Sequence, residues 1–140
     1  MGRILAIDYG TKRTGLAVTD PECLIAGPLD SVPTHKLMDY LREYCRQEIV
    51  DCIVVGEPKR WNGTDTQSSQ PIRQFITVLE KVFPGIRVAR ADERFTSLLA
   101  SRAILEAGIS RSGRRDKALV DRVSAVIILQ GYMDSLIQST

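Results

Sequence analysis

The 140-residue chain has only one histidine and three cysteines, and they form no metal pattern. Cys23, Cys45 and Cys52 include no C-x-x-C pair, and His35 is not at metal spacing from any of them. The chain therefore offers no zinc set. Its thiols suit a reducing compartment, since structural disulfides belong to oxidising ones. No stretch approaches the ~18 apolar residues of a membrane span. The chain runs into a strand from residue 3, which speaks against a signal peptide. Ala6 stands where a myristoylation motif wants Ser or Thr. Internal repeats, low-complexity tracts and linkers are lacking too. The expectation is a cytoplasmic protein without a membrane partner, with residues 1–140 forming a single domain. Net charge is low at +2, so the distribution of charge says more than its sum.

What is present is a core and its punctuation. Hydrophobic residues make up 44% of the chain, enough for a packed interior. Residues 3–9 form a short apolar run that suits a strand buried on both faces. Residues 14–19 suit a second strand, and Asp20-Pro21 a turn. Residues 23–32 could return as a third strand. Pro33-Thr34 then opens a helix, with Thr34 as N-cap candidate and Leu37, Leu41, Tyr44 and Cys45 at helical spacing. Residues 51–57 read as a strand, 58–70 as a long polar loop, 71–83 as a helix and 86–91 as a fifth strand. A helix over 96–107, a basic loop over 109–116 and a final amphipathic helix over 117–137 complete the chain. Helices joining strands predict right-handed crossovers in a mainly parallel sheet, and the first hairpins predict an antiparallel edge.

Three carboxylates carry the chemical reading. Asp8 ends the first predicted strand, Glu93 follows the fifth, and Asp121 lies on the last helix. Asp121, Ala125, Ile128 and Tyr132 share one helical face, which points Asp121 toward the sheet. Ligand sites in open α/β sheets lie at the carboxyl ends of strands. Carboxylates brought together there repel one another unless a cation joins them. Without histidine or cysteine, such a set favours Mg²⁺ or Mn²⁺. Each acid also has a plainer role: Asp8 as a turn cap, Glu93 as partner of Arg94, Asp121 as an acid in the first turns of its helix.

Basic residues flank these acids. Lys12 and Arg13 follow Asp8; Lys59, Arg60 and Trp61 follow Glu57; Arg111, Arg114, Arg115 and Lys117 precede Asp121. They suit phosphate contacts, and Trp61 suits base stacking or packing as a lid. The plainer reading of the basic loop is a solvated, flexible connection, and Asp116 interrupts the basic cluster. The Gly10–Gly15 spacing imitates a P-loop, but Leu16 and Ala17 replace its Lys and Ser/Thr.

Four stretches together resemble one family: ILAIDYGTKRTGLAVTD, IVVGEP, ADERFT and KALVDRVSAVIILQ. They are similar, in order and spacing over essentially the whole chain, to the YqgF or RuvX family of pre-16S rRNA nucleases. The resemblance implies an RNase H-like fold related to Holliday junction resolvases: a five-stranded mixed sheet with a three-stranded antiparallel meander and parallel strands, flanked by helices. It implies that the fourth strand lies beside the first. The family's acids map onto Asp8, Glu93 and Asp121. It implies a metal-dependent nuclease, with the 5′ end of precursor 16S rRNA as first substrate. Branched DNA is the alternative, and a non-cutting nucleic-acid-binding or transcription-associated role is another. A monomer or a homodimer fits. Glu57 replaces the family's usual apolar residue and is either an extra metal ligand or a rim partner of Lys59 or Arg60. Ser124 and Phe95 also depart from the pattern without removing a carboxylate. The sugar-kinase and actin superfamily shares the D-x-G-T turn of Asp8–Thr11, but needs two such domains.

Overall fold

A computed structural model describes residues 2–57, 69–92 and 116–138. Strands β1 (Arg3–Asp8), β2 (Arg13–Thr19), β3 (Ala26–Pro33), β4 (Val50–Glu57) and β5 (Arg87–Asp92) form one sheet in the order β3-β2-β1-β4-β5. β1 pairs antiparallel with β2, and β2 with β3; β1–β4 and β4–β5 are parallel. The meander, the parallel half and the β1–β4 neighbourhood thus stand as the sequence implied.

Helices α1 (Leu37–Gln47), α2 (Ser69–Val82) and α3 (Lys117–Gln138) cover the sheet. Successive strand residues point to opposite faces. In β1, Leu5 and Ile7 pack with Leu37, Leu41, Ile76 and Leu79 on the α1–α2 side. Ile4 and Ala6 pack with Ala125, Ile128 and Leu129 of α3 on the other. That is why the first run is apolar throughout rather than alternating. Among the described residues, no helix is long and apolar enough to cross a membrane.

Several boundaries differ from the expectation. β3 begins at Ala26 rather than residue 23 because the Asp20 carboxylate captures the chain first. It accepts the N–H groups of Glu22 at 3.2 Å and of Leu24 and Ile25, each at 2.7 Å. These backbone bonds, Ile25 foremost, hold the Asp20 carboxyl below its ordinary value. Cys23 takes φ 58° inside this turn. Thr34 does not cap a helix. Its hydroxyl donates to the Gly10 carbonyl at 2.6 Å and lies 2.9 Å from the Thr14 hydroxyl, and a 3-10 turn over Thr34–Lys36 precedes α1. The third position of α2 is Pro71, where its missing N–H costs no intrahelical bond. The predicted helix over 96–107 and the basic residues up to Arg115 lie outside the described residues.

Candidate active site

The site grows from one cross-strand row. Asp8 of β1 stands opposite Gly15 of β2, and Gly15 stands opposite Ser31 of β3. Asp8 continues the Ile4–Ala6 alternation, which sets it on the α3 face of the sheet.

Gly15 is what lets α3 reach this row. A Cβ there would lie 2.1 Å from the Asp121 carbonyl oxygen, so the helix backbone rests directly on the strand. Below it, Ala125 and Leu129 continue the contact, as the four-residue spacing from Asp121 requires. Asp8 and the backbone of Asp121 therefore both adjoin Gly15, at the carboxyl end of β1.

Two donors hold the Asp121 side chain, and both reach Oδ2. Arg13 Nε donates at 2.9 Å and Ser31 Oγ at 3.2 Å. Among the described residues, Oδ1 takes no hydrogen bond. The carboxylate is 18% exposed and the Arg13 side chain 40%. Arg13, read from the sequence as a phosphate contact, is thus engaged with an acid of the site. Gly10 shapes the turn that delivers it, since a Cβ on Gly10 would lie 2.2 Å from the Arg13 carbonyl oxygen.

Lys12 and Lys117 are exposed. Lys117 precedes Asp121 by one helical turn. Asp116, which interrupts the basic stretch, caps α3 by accepting the N–H groups of Ala118 at 3.0 Å and Leu119 at 3.4 Å.

Glu57 lies on the other side of the sheet. Val54 belongs to the α3 core and Val55 to the α1–α2 core, so alternation turns Glu57 toward α2. It is buried and ion-paired with Arg73 at 3.6 Å. The described residues therefore do not bring Glu57 to Asp8 and Asp121. Tyr9 also packs on the α2 side, stacked on Phe75 with ring centroids 4.7 Å apart. Glu93, Arg60, Trp61, Arg114 and Arg115 lie outside the described residues. Ser31 was missed from the sequence. Its signal is the β2–β3 register, which shifts between Leu16 and Ala17 and so cannot be counted off from the turn.

The donor set suits a hard cation: two carboxylates, with no cysteine or histidine in the described part of the row. A Porphyromonas gingivalis protein described as "Putative pre-16S rRNA nuclease" is 58% identical over 135 residues, covering 96% of this chain and 98% of the relative. A Flavobacterium johnsoniae protein of the same description is 47% identical over 135 residues, covering 96% and 98%. Thermus thermophilus RuvC, solved with a Holliday junction substrate, superposes with a TM-score of 0.62 at 15% identity, covering 100% of this chain and 98% of that one. That likeness shows the shared RNase H-like fold. The family described as RuvX: Holliday junction resolvase matches residues 2–135, and with the two close relatives this shows that the chain belongs to the RuvX (YqgF) family.

Proposed function

We propose that this chain is a cytoplasmic, divalent-metal-dependent nuclease that hydrolyses phosphodiester bonds at the 5′ end of precursor 16S rRNA. The observation that carries the reading is that Asp8 and Asp121 both adjoin Gly15 at the carboxyl end of β1. The substrate follows the close relatives, whose description names that RNA.

Asp8 and Asp121, with Glu93, would hold Mg²⁺ or Mn²⁺. Such an ion supplies an activated water and neutralises charge on the phosphate oxygens. The chain's own residues do the rest. Gly15 keeps α3 seated so that the two carboxylates stay in register. Ser31 orients Asp121 through Oδ2. Lys12 and Lys117, with Arg60, Arg114 and Arg115, supply positive charge for the phosphate backbone, and Trp61 supplies a stacking plane. Glu57 is assigned to the packing of α2 through Arg73 rather than to the metal.

Cleavage of a four-way DNA junction is the second reading, favoured by the family's own description. A resolvase needs two active sites, so a stable dimer goes with it. The test is a cleavage assay with Mg²⁺ or Mn²⁺ on a precursor rRNA fragment and a DNA junction, comparing the native chain with Asp8→Asn. Metal-dependent cutting of the RNA that Asp8→Asn abolishes is the expected result. Cutting of the junction alone moves the assignment to the resolvase. Binding of both substrates without cutting by either protein overturns the enzyme reading.

A further inference from the structure

We propose that Arg13 is the resident cation of this acidic site. It gives up Asp121 to a divalent ion and turns to a phosphate of the incoming strand, so that metal and nucleic acid bind cooperatively through one side chain. The inference rests on the nuclease reading and adds to it a coupling between its two ligands.

The geometry of the pair is that of a contact made to be exchanged. Arg13 reaches Asp121 through Nε at 2.9 Å. Its terminal amino groups make no hydrogen bond among the described residues. A locked arginine–carboxylate pair is commonly bidentate, with two parallel bonds. The side chain is partly exposed, so its head can leave without dragging a buried charge through the core. Ser31 holds the same Oδ2 from β3, so the carboxylate stays oriented after the guanidinium departs.

Charge then dictates the order of events. A guanidinium and a divalent ion beside one carboxylate repel each other, and at contact distances that repulsion is substantial. Metal alone must therefore displace Arg13 into water. A phosphate arriving between the exposed Lys12 and Lys117 gives the guanidinium an anionic partner of matching fork geometry. Each ligand removes an obstacle to the other, and linkage makes the effect reciprocal.

Mn²⁺ binding, followed by calorimetry and by the electron-spin signal of free Mn²⁺, tests this without turnover. The nucleic acid is a short RNA oligonucleotide, kept cold during the titration and checked by gel for intactness at its end. The native chain is expected to bind Mn²⁺ about fivefold more tightly with the RNA than without it. Arg13→Gln is expected to bind Mn²⁺ about fivefold more tightly than the native chain when RNA is absent, and to gain nothing further from RNA. Ser31→Ala removes a neutral donor from the same oxygen and is expected to show no such tightening. Arg13→Lys keeps the charge and the stem, and stays near the native affinity. Arg13→Gln that binds Mn²⁺ no more tightly than the native chain, or that keeps the native cooperativity, overturns the role of Arg13. Failure of the native chain to bind Mn²⁺ at all overturns the nuclease reading beneath it.

Discussion

The two faces of the sheet are made from alternate residues of the same strands, yet they are built to different sizes. The α1–α2 face carries Leu5, Ile7, Leu16, Ile53 and Val55. The α3 face carries Ala6, Gly15, Ala17, Cys52 and Ala89, with Ile4 and Val54 as its larger members. Larger side chains fill the space between the sheet and α1–α2. Small ones let α3 settle onto the strands, closest at Gly15. The first face fills a core; the second lowers an acid onto the end of β1. On the proposed nuclease reading, chemistry falls to one side of the sheet and much of the large-side-chain core to the other, and substitutions on each side separate the two.

The largest expected effect is on activity, at the acid that the small face delivers. Asp121→Asn keeps the volume and a hydrogen-bonding oxygen but removes the charge. Losing a ligand that stabilises transition-state charge by ~4 kcal/mol lowers kcat by roughly a thousandfold. Thermal unfolding is expected near the native midpoint, because Ser31 retains its acceptor. Initial rates beside a melting curve check both statements. On the other face, Leu5→Ala empties a fully buried position and costs about 2–5 kcal/mol of folding stability. Below the melting point that variant is expected to cut at close to the native rate. A rate loss matching that of Asp121→Asn would break the division between faces.

Gly15→Ala sits between these cases. Its Cβ would meet the Asp121 carbonyl, so α3 must shift away from β2. Overpacking of this kind costs about 1–3 kcal/mol. Here the same shift moves an acid of the site, so activity falls even when the protein is folded. Gly27 is the control: nothing lies within 4 Å of a Cβ there, and Gly27→Ala is expected to change stability by less than about 0.5 kcal/mol. Denaturant midpoints and rates for the pair distinguish a close approach from a merely conformational glycine.

Much of this was legible because each feature rested on local periodicity. β1 and β4 announced themselves as apolar runs, and Asp121 was assigned to the sheet side by its spacing from Ala125 and Ile128. What stayed illegible depended on which strand lay opposite which residue. Thr34 had the sequence of a cap, yet its hydroxyl is taken by Gly10 and Thr14. Asp116 read as an interruption and is the cap of α3. Glu57 read as an extra metal ligand or a rim partner of Lys59 or Arg60; alternation along β4 turns it toward α2, where it pairs with Arg73. A period of two turns a single position into the opposite side of the protein.

Asp30 and Ser31 show that rule at its smallest scale. Ser31 holds Asp121 of α3, while the charge of its neighbour Asp30 acts on the Tyr40 phenol of α1. Burial foremost, and then the Asp30 charge, push the Tyr40 phenol up to about 12 from its ordinary 10.0. A phenol with a raised folded value contributes stability that is fully present below the unfolded value. That stability is lost as pH rises through the folded one. The melting temperature is therefore expected to fall between about pH 10 and pH 12. Tyr40→Phe has no proton to lose there and is expected to fall less steeply, by a few degrees over the interval. Burial raises Tyr44 as well, so the variant keeps part of the slope. An unchanged slope in Tyr40→Phe would remove Asp30 from the set of ties between β3 and the α1–α2 layer, leaving β3 joined by side-chain bonds chiefly to α3.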